Sequence, residues 1–72
     1  MDKTVYTFKK NQFQEIRASI REYKGNDLID IRTWTTMKGE ETFVPTAKGV
    51  TVNIKLLSEL KKAIELIEKE IE

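Results

Sequence analysis

The chain has 72 residues, room for one domain (1–72) with a marginal core, since a chain this short buries only about 60% of its unfolded surface. It contains no cysteine and no histidine, which excludes a disulfide framework, thiolate or imidazole metal sites, and the commonest general base. Charged residues make up 35% of the composition, yet the formal net charge is only +1, so any basic surface must arise from placement rather than from total charge.

The first predicted element is a short strand over Val5–Lys9, with Tyr6 and Phe8 on one side and Val5, Thr7 and Lys9 on the other. Lys10-Asn11 reads as a turn. From about Phe13 to Lys24 the alternation is sustained: Ile16, Ala18 and Ile20 share one face, and Arg17, Ser19, Arg21 and Tyr23 share the other. Period two with one apolar face is the pattern of a half-buried strand. Gly25-Asn26 reads as a two-residue hairpin turn with Gly supplying the positive φ. That turn would pair Tyr23 with Leu28, Arg21 with Asp30, Ser19 with Arg32 and Arg17 with Trp34. It would also set Glu22 opposite Ile29, Ile20 opposite Ile31, Ala18 opposite Thr33 and Ile16 opposite Thr35.

Lys38–Glu41 is a second turn or loop. Thr42–Pro45 reads as a short edge segment, because proline cannot sit in a central strand. A fourth alternating run follows Lys48-Gly49, with Val50, Val52 and Ile54 opposing Thr51 and Asn53. The remainder, about 54–71, is one helix with Asn53 as its N-cap. Its apolar residues Leu57, Leu60, Ile64, Ile67 and Ile71 are spaced three, four, three, four, the seam of two heptads. Leu56, Ala63 and Leu66 widen that stripe beyond what one small sheet covers. The helix is therefore expected to serve both the intrachain core and a homodimer interface. The fold class expected is α+β: a four-stranded antiparallel sheet followed by a C-terminal helix.

The central hairpin holds the chemistry. All three arginines, Arg17, Arg21 and Arg32, lie within it and share a face with Tyr23 and Trp34. Cations interleaved with aromatic rings suit single-stranded nucleic acid, where the cations track phosphates and the rings stack bases. Two other readings of the same residues stand beside it. Trp34 can lie under Arg17 as a local cation–π pair while Asp30 neutralises Arg21, or the face can be an adaptor surface for a protein partner, with Trp34 and Tyr23 as hot spots.

No catalytic constellation is present: Ser19 and Ser58 have no histidine partner, and Gly25, Gly39 and Gly49 lack phosphate-loop spacing. No enzyme activity, cofactor or metal is expected. No apolar run approaches the roughly 18 residues of a spanning helix, and the N-terminus leads into no signal-peptide core. The expected location is cytoplasmic, on the nucleoid if the source is bacterial.

Arg21-Glu22-Tyr23-Lys24-Gly25, then Leu28-Ile29-Asp30-Ile31-Arg32, then Trp34 resembles the central hairpin of the PC4 family, the transcriptional coactivator p15 C-terminal domains and their bacterial and phage relatives. Lys48-Gly49-Val50-Thr51-Val52-Asn53 resembles the family's following strand. The resemblance covers roughly residues 16–64. It implies a ββββα fold that dimerises through its helix and binds single-stranded DNA without sequence preference on the curved sheet face. RNA remains the alternative nucleic acid. By this resemblance Arg21, Tyr23, Lys24, Arg32, Trp34 and Lys48 occupy DNA-contact positions; Arg17 joins them from the pairing argument. Asn26 and Thr35 depart from a lysine and an aromatic found in relatives, Leu57 stands where a tryptophan is expected, and Thr42–Ala47 matches poorly. The absence of a serine-rich or acidic regulatory tail points to a stand-alone prokaryotic or phage module acting in transcription, replication or repair.

Overall fold

The computed structural model describes residues 2–72. Four strands, β1 (Lys3–Asn11), β2 (Gln14–Tyr23), β3 (Asn26–Thr35) and β4 (Val44–Asn53), form one antiparallel sheet in the order β1-β2-β3-β4. A 3-10 turn over Ile54–Leu56 leads into the helix α1 (Leu57–Ile71). Asn53 does cap this entry, but its side chain accepts from the Lys55 amide of the 3-10 turn, at 2.9 Å.

The β2–β3 hairpin differs from the sequence expectation by one turn position. The two loop residues are Lys24 and Gly25, with φ +51° and +79°, and Tyr23 pairs with Asn26. Two successive positive φ values define a type I′ turn, whose twist matches that of the flanking strands. Arg21 therefore faces Leu28 rather than Asp30, Ser19 faces Asp30, and Arg17 faces Arg32 rather than Trp34. On the other face Ile20 pairs with Ile29, Ala18 with Ile31 and Ile16 with Thr33. This register joins aliphatic to aliphatic more completely than the expected one, which is the physical reason to prefer it. Each partner moves by two residues, so no side chain changes face.

Three further boundaries are corrected. The first turn is Gln12-Phe13, not Lys10-Asn11; Asn11 Oδ1 accepts the Phe13 amide at 3.0 Å, a local bond that favours asparagine just before a turn. The first strand spans nine residues and is bulged at Val5, between Thr4 and Tyr6. Val44 and Pro45 belong to β4, which runs unbroken through Gly49, while Thr42 and Phe43 stay outside. Proline is accommodated because β4 is an edge strand and is bulged beside it. Arg32 pairs with Gly49 and Trp34 with Pro45, so Thr46, Ala47 and Lys48 together oppose Thr33. Thr46 Oγ1 pins this bulge by donating to the Thr33 carbonyl at 2.8 Å and accepting the Lys48 amide at 3.1 Å.

The helix departs most from expectation, for it does not close a core on its own sheet. All its residues but Leu60 are exposed, and Ile64 retains 55% of its accessible surface. The apolar sheet face is open too. Ile20, Ile29 and Ile31, with Ile54 and Leu57 at its end, line a bare cleft. Among the described residues no hydrophobic side chain is buried; Asp30 and Thr33 alone are. No described helix is long and apolar enough to cross a membrane.

Candidate nucleic-acid interface

The polar face of the sheet is organised around Asp30, only 2% exposed at the middle of β3. Arg32 lies two residues on, on the same side of the strand, and closes over it. Arg32 Nε donates to Oδ1 and Oδ2 at 3.1 and 3.3 Å, and Nη2 donates to Oδ1 at 2.9 Å. Thr51 on β4 donates its hydroxyl to Oδ1 at 2.9 Å. Arg21 reaches Oδ2 from β2 at 3.8 Å. Burial by itself would raise the Asp30 pKa, but the hydrogen bonds from Arg32 and Thr51 and the charges of Arg32 and Arg21 outweigh it and hold the carboxyl below its ordinary value. The Arg32 guanidinium is correspondingly raised by its bond to Asp30.

Arg32 also donates from Nη1 to the Thr46 carbonyl at 2.8 Å and from Nη2 to Thr51 Oγ1 at 3.0 Å. Four of its five N–H groups are thus engaged within the protein. It fastens β3 to the β4 bulge and holds the strand that presents Lys48.

A second cluster lies toward the other end of β2. The Arg17 guanidinium carbon sits 4.1 Å from the Trp34 ring centroid and 5.7 Å from that of Phe43. Glu15 accepts from Arg17 Nε at 2.7 Å and approaches Nη2 at 2.6 Å. The local cation–π pairing of Arg17 with Trp34 is therefore present, and the indole N–H is buried without a protein acceptor. Lys9 reaches Phe43 from β1, with Nζ 5.7 Å from the ring centroid.

At the turn end the groups are open. Tyr23 is 62% exposed, and Lys24 Nζ lies 5.3 Å over its ring. Arg21 is exposed as well; Lys48, also exposed, lies opposite Thr33 on the β4 bulge, toward the Arg17 end of the face. The structure thus gathers Arg17, Arg21, Tyr23, Arg32 and Trp34 onto one sheet face, with Lys24 at its rim and Lys48 on the β4 bulge. An open groove across this face is lined by Ser19, Arg21, Asp30, Trp34 and Pro45, among others. Sequence reasoning missed Phe43 and Lys9. Phe43 sits in the poorly matching stretch, and only the path of the loop, which the alternation of the strands does not encode, returns it to Arg17.

An open four-stranded meander with a cationic, aromatic face and a protruding C-terminal helix defines a class of small binding domain. The chain matches the family Transcriptional Coactivator p15 (PC4) over residues 10–63 and belongs to it. A PC4 homolog from Burkholderia pseudomallei K96243, BPSL1147, superposes with a TM-score of 0.85 at 30% identity, covering 96% of this chain and 92% of that one. The bacteriophage T5 homolog of the eukaryotic coactivator, implicated in recombination-dependent DNA replication, shares the fold at a TM-score of 0.76 and 24% identity, covering 96% of this chain and 78% of its own. MoSub1, solved in complex with single-stranded DNA, superposes at 0.59 with 25% identity, covering 90% of this chain and 74% of its own. No curated protein matches the chain.

Proposed function

We propose that this chain is a homodimeric, non-catalytic protein that binds single-stranded DNA without sequence preference on the arginine–aromatic face, in transcription, replication or repair. The observation that carries the reading is the set of exposed cations and the open ring on one face, Arg21, Tyr23 and Lys24 toward the turn and Lys48 on the β4 bulge, on a chain of this family. The complex of MoSub1 with single-stranded DNA supports it. Exposed cations release counterions when they meet phosphates, and an exposed ring stacks any base. Arg32 and Trp34 act beneath this surface: Arg32 braces the bulge and Trp34 seats Arg17. The bare apolar face and helix stripe support the dimer, because a chain of this size without a closed core is not stable alone. Leu57, Leu60, Ile64, Ile67 and Ile71 supply the helix side of that interface.

The test is a titration followed by intrinsic fluorescence, since Trp34 is the sole tryptophan. Oligo(dT) is expected to change the signal saturably and duplex DNA much less. Affinity is expected to fall with salt at a log–log slope near −0.7 per phosphate contacted. Equal affinity for duplex, or no single-strand binding at low salt by any method, overturns the reading.

A further inference from the structure

Between the turn and the Arg17 cluster lie six residues of β2, about 20 Å of extended strand. The two ends of the face differ in how their charges are held. Arg17 is matched by Glu15 and flanked by Trp34, so it is a fixed element of the surface. Lys9, beside it on β1, is exposed and makes no ion pair among the described residues: Glu15, opposite it in the β1–β2 register, is bonded to Arg17 instead. Phe43 completes the group, and the loop that delivers it is tied down at several points. The Thr36 amide donates to the Phe13 carbonyl at 2.9 Å, the Glu40 amide donates to the Met37 carbonyl at 2.9 Å, and Thr36 Oγ1 donates to the Glu40 carbonyl at 3.2 Å. Phe43 is thus a positioned aromatic ring beside an unmatched cation, the same pairing of ring and lysine that Tyr23 and Lys24 make at the turn.

We propose that Lys9 and Phe43 form a second anchoring point for single-stranded DNA. Lys9 meets a backbone phosphate, Phe43 stacks the neighbouring base, and the clamped Arg17 lies beside the ring. The strand then runs along β2 from Tyr23 to Phe43. This inference rests on the reading of the face as a single-stranded DNA site and adds a second end and a direction to it.

The experiment measures oligo(dT) affinity against salt for the full chain and for Lys9→Ala, Phe43→Ala, Phe43→Leu and Tyr23→Ala, using one oligonucleotide long enough to span the face and one too short to do so. Lys9→Ala is expected to weaken binding of the long strand and flatten its salt slope by about 0.7, one phosphate's share. Phe43→Ala is expected to weaken it about tenfold with the slope unchanged, because stacking releases no counterions. Phe43→Leu preserves an apolar cover for the loop but has no π face, so it is expected to bind as weakly as Phe43→Ala. With the short strand, whose binding the turn end alone sustains, both positions are expected to be silent while Tyr23→Ala still weakens binding. Wild-type affinity of Lys9→Ala and Phe43→Ala for the long strand, alongside a weakened Tyr23→Ala, overturns the second anchor and leaves the site itself standing. Recovery of binding in Phe43→Leu overturns it too, by assigning Phe43 a packing role. Failure of the unmodified chain to bind either strand overturns the underlying reading instead.

Discussion

Gly49 lies opposite Arg32 with no space for a side chain between them. A β-carbon at Gly49 would come within 2.8 Å of Arg32 Cα and 2.7 Å of the Ile31 carbonyl oxygen. Both are backbone atoms, and no rotamer change relieves such contacts. The close approach keeps β4 against β3 where the Arg32 guanidinium crosses to Thr46 and Thr51.

Gly49→Ala is expected to lower stability by about 1–3 kcal/mol, the usual cost of forcing atoms into a packed site. Weaker single-strand binding should accompany it, as the bulge carrying Lys48 moves. Urea denaturation measures the first effect and the oligo(dT) titration the second. A variant as stable as the parent would mean that β4 slides freely on β3.

Asp30 makes stability depend on pH in one direction. Its pKa is lower in the folded chain than in the unfolded one, so the folded state holds the proton less tightly. The resulting stabilisation is complete above the unfolded carboxyl's pKa and is lost as pH falls through the folded one. Asp30→Asn is expected to be less stable than the parent at neutral pH, and the gap should narrow as the solution becomes acid. Urea melts across that range provide the check; a gap constant with pH would place the acid sensitivity on other carboxyls.

The turn residue Lys24 adopts φ +51°, where a side chain is disfavoured by roughly 1 kcal/mol. Asparagine tolerates this region and is the preferred first residue of a type I′ turn before glycine. Lys24→Asn is expected to raise stability by about 0.5–1 kcal/mol and to reduce single-strand affinity, flattening the salt slope by about 0.7. Gly25→Val, at φ +79°, is expected to lower stability by about 1–2 kcal/mol. If Lys24→Asn changes neither property, the strain and the phosphate contact at this position are both refuted.

Ile64 lies mid-stripe on the exposed helix face. In a dimer that covers this stripe, Ile64→Asp places an unpaired charge in an apolar interface at a cost of several kcal/mol. Sedimentation is expected to show a dimer for the parent, and loss of both dimer and cooperative folding for the variant. A folded parent monomer at micromolar concentration would remove the dimer from the reading.

The allocation of side chains to the two faces was legible because alternation depends only on parity. The hairpin loop lies one position earlier than Gly25-Asn26 suggests, yet Arg17, Arg21, Arg32 and Trp34 still share a side. The loop itself was not legible, since Lys24 is a poor residue for positive φ and the sequence offered Gly25 with Asn26 as the more usual pair. The roles of the arginines depended on contacts that alternation does not report. Asp30 was expected to engage Arg21 and does so at 3.8 Å, but its closer partners are Arg32, next on the same face of β3, and Thr51 across on β4. Heptad spacing identified the apolar stripe of the helix but carried no information on whether its own sheet would cover it.

The bulges also bear on a hazard that any open sheet faces. Both outer strands, β1 and β4, present an unpaired rim on which another extended chain can add and propagate an aggregate. Neither rim is a regular template. β1 loses register at Val5 and again near Lys10, and its basic residues repel a like copy. β4 loses register over Thr46–Lys48 and has no amide hydrogen at Pro45. The irregular edges that shape the polar face thus also discourage strand-by-strand accretion on either rim.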